Sequence, residues 1–281
     1  MRKAVNNNQF LPISKDDMIS RGWDGVDFVY VSGDAYVDHP SFGVSIITRV
    51  LENAGYKVGI ISQPDWRRND SFTIFGKPRL GFFVSSGNID SMVAHYTVAK
   101  KKRSTDAYSP GGKMGLRPDR AVIIYCQKIR EIYGDIPIVI GGLEASLRRF
   151  AHYDYWDDKI RPSILFDSGA DLISFGMGER QTVQIAERLN NGEDIKSITD
   201  IKGTCYAVPV TETPYKGVEC PSFENVVNSK QEYAISCRIQ QDEQDHIRGK
   251  VIKQRHGKMM LVQNQPMEPL TTEELDNVYS L

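Results

Sequence analysis

Between residues 26 and 190 short apolar runs alternate with amphipathic stretches. The runs Phe28–Val31, Val58–Ser62, Leu80–Ser85, Ile138–Ile140 and Leu172–Phe175 predict strands. Several are apolar at every position rather than at every second one, the signature of strands buried on both faces, as in parallel sheets. The intervening segments Ser45–Ala54, Ile89–Val98, Asp119–Tyr133, Ala145–Phe150 and Arg180–Leu189 carry apolar residues at helical spacing. Short glycine-rich loops join the two kinds of element. The pattern predicts a doubly wound, mostly parallel, Rossmann-like α/β sheet over residues 26–190.

The flanks read differently. Residues 1–25 form a polar arm with one apolar patch (Phe10, Leu11, Ile13), expected to pack on the main domain, and Ser14 is placed to cap a short helix. Asn190 to Asp194 make a turn. Residues 191–281 are read as an α+β extension: a strand at Thr204–Val208, a long helix at Glu224–Asp245 with Ser222 as cap, and a strand at Lys258–Gln263. Gln265–Leu281 reads as a linker or leading arm toward a further domain.

Composition narrows the function classes. Of 281 residues, 40% are hydrophobic and 25% charged, which fits a globular chain. The net charge of −1 creates no global field to recruit nucleic acid or an anionic membrane. No apolar run approaches the ~20 residues of a membrane span, and the amino terminus lacks the apolar core of a secretory signal. A cytoplasmic location is expected. The four cysteines (126, 205, 220 and 237) never fall within four residues of one another, so no local loop wraps a metal with them. They read as thiols of a reducing compartment, with Cys126 in a helix core.

The candidate chemistry lies in loops at strand ends. The first, VSGDAYVDHPSFG, sets Asp34, Asp38 and His39 among Gly33, Pro40 and Gly43. Two readings stand: these side chains bond their own loop, or they meet a ligand at the amino terminus of the next helix. The second, GGLEASLRRF, places Gly141 and Gly142 at a strand end, where paired glycines serve close packing or close ligand approach. Its Glu144 suits the dipole of the following helix. The third, FGMGER, holds Gly176, Gly178 and Glu179. All three loops are expected to converge at one edge of the sheet. RRFAHYDYWDDKIR, rich in aromatics and both charges, reads as a salt-bridged connection or as a clamp and docking segment. DAYSPGGKMGLRPDR, with Lys113, Arg117 and Arg120, fails the spacing of a phosphate-binding P-loop and reads as a mobile surface loop or as a phosphate clamp of another kind.

These segments, GDAYVDHPSFG, GIISQPDW, GNIDSMVAHYT, DAYSPGGKMGLRPDR, GGLEASLRRFAHYDYW, FGMGER and NQPMEPLTTEELDNVYSL, resemble the amino-terminal half of the YgiQ-like radical SAM proteins over nearly the whole chain. The resemblance implies a cobalamin-binding-like domain that leads into a radical SAM barrel. That barrel would carry the C-x3-C-x2-C motif that holds a [4Fe–4S] cluster and S-adenosylmethionine. The motif is absent from these 281 residues, so no radical chemistry is expected of them alone. The resemblance also implies that the Gly141-Gly142 turn lines the cleft, and that FGMGER replaces a Gly-Glu-Gly-Glu turn with Met177 in the first acidic position. Cobalamin domains often carry Asp-x-His-x-x-Gly in the first loop. Here Asp38 and His39 are adjacent and three residues separate His39 from Gly43, so His39 departs from the cobalt-ligating spacing. Cobalamin stays open as a ligand. The expected partners are the downstream barrel and an unidentified substrate, small-molecule or macromolecular. The alternatives are a stand-alone nucleotide- or cobalamin-binding module and a non-catalytic scaffold.

Overall fold

The computed structural model describes residues 10–214 and 216–281. Five parallel strands form the heart of the molecule: β1 (Phe28–Ser32), β2 (Val58–Ser62), β3 (Gly81–Ser85), β4 (Ile138–Ile140) and, later in the chain, β7 (Leu172–Ser174), in the spatial order β2-β1-β3-β4-β7. All five lie where the apolar runs predicted them. Alternate side chains serve two cores. Val29, Val31, Phe82, Val84, Ile138 and Ile140 face α4 (Ala121–Tyr133) through Val122, Tyr125, Cys126 and Ile129. Phe28, Tyr30, Phe83, Val139 and Leu172 face α2 (Gly43–Asn53) and α7 (Glu179–Asn190) through Val44, Leu51, Ile185 and Leu189. Burial on both faces is why these strands read as continuous apolar runs.

The sheet does not stop at residue 190. Strand β8 (Thr204–Pro209) pairs antiparallel with β7, β11 (Met259–Gln263) with β8, and β10 (Ile252–His256) with β11, while β9 (Val218–Cys220) closes the far edge parallel to β10. The extension is thus laid onto the parallel sheet, giving nine strands in one ladder.

Several elements differ from the sequence expectation, each for a local reason. The helix expected at Ile89–Val98 shrinks to α3 (Ser91–His95): Asp90 caps the amide N–H groups of Met92 and Val93, and Tyr96 leaves helical geometry to bridge Lys102. The long helix expected at Glu224–Asp245 is two, α8 (Phe223–Asn228) and α9 (Lys230–Asp242), because Ser229 turns extended and caps α9. The segment after Gly141-Gly142 forms α5 (Gly142–Leu147) and then a hairpin of β5 (His152–Asp154) and β6 (Lys159–Arg161), followed by α6 (Ile164–Ser168). Arg120 binds Asp154 of that hairpin at 2.8 Å, so the salt-bridged reading holds there. The final segment carries α10 (Thr272–Tyr279), held by a Thr271/Glu274 capping box and packed on α2. At the other end, α1 (Lys15–Ser20) has the same device in Ser14 and Asp17, and Leu11 is buried in the α2-side core. Residues 1–9 of the expected arm lie outside the described residues.

Candidate functional site

In a doubly wound sheet the chain leaves neighbouring strands in opposite directions where the order reverses, and a crevice opens there at the carboxyl ends. Here that place lies between β1 and β3. A cleft of about 170 Å³ sits beside it, floored by Tyr30, Phe83, Val139 and Ile140 and flanked by Ile46 and Ile47 of α2 and Thr182 of α7. Gly43, Gly141, Gly142, Gly176, Gly178 and Glu179 all line it. Sequence reasoning brought these six together from three loops, and the structure gathers them.

The glycines do separate jobs. At Gly178 a Cβ would press on Ile47 Cδ1 at 3.2 Å, so its absence lets α2 and α7 close up. Gly142 adopts φ +77°, and Gly176 φ +74°, both in the region that favours glycine. Two polar side chains in the cleft have no partner. Ser174, at the end of β7, is 7% exposed and its Oγ is unbonded; Glu179, at the first turn of α7, is 5% exposed and its Oε2 is unbonded. Buried polar atoms are ordinarily satisfied, and an unmet one costs about 1–3 kcal/mol. A hydroxyl and a carboxylate left open above an apolar floor match a ligand moiety with a flat apolar body and an N–H or O–H edge. Ser174 escaped the sequence reading; the available signal was a polar residue closing the apolar run LIS immediately before the glycine loop.

The remaining predicted residues do not line this cleft. Gly33 is a packing position: a Cβ there would lie 2.1 Å from the Ser86 carbonyl oxygen. Asp34 is 1% exposed and turned into the protein, where its Oδ2 accepts the Asn88 N–H at 2.6 Å and its Oδ1 lies 3.0 Å from Arg117 Nη1. Burial pushes its carboxyl above the ordinary range, offset by the Asn88 amide and the Arg117 charge. Asp38 pairs with Arg49, which also holds Glu52 at 3.0 Å. His39 is exposed, its Nδ1 accepting the Ser41 N–H at 3.1 Å. Glu144 is fully buried and accepts the N–H of Ser91 at 2.9 Å and of Val122 at 3.2 Å, tying the first turns of α3 and α4 together. Burial first, and Asp90 beside it, raise its pKa.

The DAYSPGGKMGLRPDR loop departs most from expectation. It is pinned rather than loose. Arg117 is 1% exposed, donates to the Ser86 carbonyl at 2.6 Å and grips Asp106 at 3.0 Å. Together with Asp34 it forms a buried acid–base–acid bridge under the first and third strand loops. An arginine in a polar stretch broken by glycine and proline gives no sequence sign of such burial.

Cys126, Cys205 and Cys220 are buried on three different elements and only Cys237 is exposed. Burial raises the Cys205 thiol to about 12 and the Cys220 thiol to about 11, away from the thiolate that binds iron. Among the described residues no three His, Cys, Asp or Glu side chains group as metal ligands, so these thiols do not fit a cluster. His39, outside the cleft, does not fit a cobalt ligand to a group seated there. No helix among the described residues is long and apolar enough to cross a membrane.

The sequence matches known proteins over almost its full length. A UPF0313 protein of Clostridium perfringens (strain SM101) is 58% identical over 278 residues, covering 99% of this chain and 42% of the relative. One of Clostridium botulinum (strain Loch Maree) is 56% identical over 277 residues, covering 99% of this chain and 43% of the relative. The chain therefore spans less than half the length of these relatives. Among solved structures, the radical S-adenosylmethionine methyltransferase TsrM from Kitasatospora setae, determined with cobalamin and a [4Fe–4S] cluster bound, superposes with TM-score 0.42 and 18% identity. That superposition covers 64% of this chain and 26% of TsrM. Residues 10–281 match the family described as Radical SAM N-terminal, and with the doubly wound sheet already in place, the chain belongs to that family.

Proposed function

We propose that this chain is the ligand- or substrate-holding amino-terminal domain of a radical SAM protein of the UPF0313 kind. The carrying observation is the cleft at the carboxyl ends of the parallel strands, with Ser174 Oγ and Glu179 Oε2 unbonded above an apolar floor. The radical chemistry would be supplied by a [4Fe–4S] cluster and S-adenosylmethionine held by the further length that the relatives possess. This chain's residues would seat and orient the ligand: Tyr30 and Phe83 beneath it, Ser174 and Glu179 at its polar edge. Leu143 and Leu147 of α5 and Met177 of the third loop are exposed around this edge of the sheet. An apolar rim beside a cleft supports docking of the catalytic domain there, which would shield the ligand from water.

Calorimetric titration of the 281-residue chain with hydroxocobalamin, S-adenosylmethionine and adenosine tests this reading. One of the three is expected to bind saturably and to weaken at least tenfold in Ser174→Val and Glu179→Gln, with melting temperature held. Silence across the three, or binding indifferent to both variants, removes the cleft as the functional site.

A further inference from the structure

We infer that a second cleft, on the α4 side of the sheet, is a binding site for a phosphate-bearing small molecule. It has a volume of about 710 Å³ and shares no lining residue with the first. That is within the ~300–1,000 Å³ range of small-molecule sites. Among its lining residues His95, 6% exposed, has an Nε2 without a partner.

The His95 ring is fixed by its neighbours. Its Nδ1 lies 2.6 Å from Asp119 Oδ1, and an ionised carboxylate only accepts, so Nδ1 carries the proton. Tyr96 donates its hydroxyl to the other oxygen, Asp119 Oδ2, at 2.7 Å, which fixes the carboxylate, and the Tyr96 ring is braced on Trp156 with centroids 4.0 Å apart. Nε2 is left to accept from a ligand when the imidazole is neutral and to donate when it is charged. A phosphate monoester presents both an O–H and anionic oxygens, so it satisfies either form.

The charge around the cleft agrees. Its lining residues include six cations, Arg67, Lys102, Arg103, Arg117, Arg120 and Arg161, of which Arg117 has its side chain out of solvent, against the single carboxylate of Asp119. Arg117 is balanced by Asp34 and Asp106, and Arg120 and Arg161 by Asp154 and Asp157. Lys102 and Arg103 are exposed and enter no ion pair among the described residues. They supply the field that draws an anion into the cleft.

The test is titration of the 281-residue chain at low ionic strength with inorganic phosphate, AMP and ATP, followed by calorimetry and by the phosphorus NMR signal. Saturable one-site binding is expected. It should weaken at least tenfold in Lys102→Ala/Arg103→Ala and in His95→Gln, and stay unchanged in Ser174→Val, which alters only the first cleft. Tighter binding of AMP than of inorganic phosphate assigns the site to nucleotides; equal binding assigns it to free phosphate. Absence of saturation with all three overturns the proposal. So does affinity unmoved in the surface double variant, which keeps the buried residues and should fold. Saturable binding of an RNA oligonucleotide in place of all three small probes also overturns it.

Discussion

Arg117→Met is the sharpest probe of how the first strand loop is held. The wild-type guanidinium has a side chain wholly out of solvent, as are those of Asp34 and Asp106 to within 1%. Methionine fills much of the volume but takes the hydrogen bond from the Ser86 carbonyl and the countercharge from two carboxylates. Removing one partner of a buried ion pair costs about 3–5 kcal/mol, because the charges left behind are neither solvated nor paired. For 281 residues, an unfolding entropy of about 2.1 cal/mol/K per residue gives about 0.6 kcal/mol/K, so the melting temperature should fall by about 5–8 °C. The loss should depend on pH in a set direction. Burial already holds the folded Asp34 carboxyl above its unfolded value, Asp106 raises it further, and Arg117 lowers it. Without Arg117 the folded state keeps a proton that the unfolded chain releases, so stability falls as pH rises through the carboxylate range. The deficit of Arg117→Met relative to wild type should therefore be larger at pH 8 than at pH 5. Replacing both carboxylates in Asp34→Asn/Asp106→Asn/Arg117→Met should recover more than half of it. Scanning calorimetry at the two pH values reads all of this. A loss below 1 °C at pH 8, or equal losses at both pH values, refutes the buried-bridge argument.

Two further outcomes are expected. Gly33→Ala forces a methyl group against the Ser86 carbonyl and should cost about 1–3 kcal/mol in urea unfolding, whereas Gly43→Ala, where nothing lies within 4 Å, should unfold like wild type; equal midpoints for the two would contradict the close approach. The His256 ring lies against Phe166 and Phe223 with centroids 4.7 and 5.3 Å away, and burial lowers its pKa to about 4. The unfolded chain then takes up this proton first, so stability present above pH 6.5 is lost as pH falls toward 4. Going from pH 7 to 5 should cost about 2 kcal/mol through this residue, and His256→Phe should flatten that slope in urea unfolding at the two pH values.

The parallel strands were legible because each is a nearly continuous apolar run, and both cores take up their side chains. The glycines and Glu179 of the cleft were legible because strand ends in such a sheet gather at one edge. What escaped the sequence shares a physical cause: polar residues whose partners are far along the chain. Arg117 reads as surface until Asp34 and Asp106 close on it. His95 reads as a helix residue until Asp119 and Tyr96 fix its ring. Strand β10, with the sequence IKQRH, has no apolar pattern at all; Lys253 and Gln254 are buried there by hydrogen bonds to the Pro214 and Pro221 carbonyls. Asp34 and Glu144 drew notice as loop acids near a ligand site; Glu144 spends both oxygens on backbone N–H groups of neighbouring helices, and Asp34 divides its oxygens between the Asn88 N–H and the Arg117 guanidinium.

The antiparallel strand β8 has a protective role that follows from its position. It covers the outer side of β7, whose Leu172 and Ile173 are wholly buried and whose Ile173 and Ser174 are paired with Cys205 and Thr204. A chain cut back to residue 190 would turn β7 into a naked rim of unpaired backbone groups flanked by apolar side chains. Such a rim templates strand addition by another copy. The stretch from 204 to 263 therefore also works as a guard against self-association, and a shortened chain should precipitate where the longer one stays dispersed.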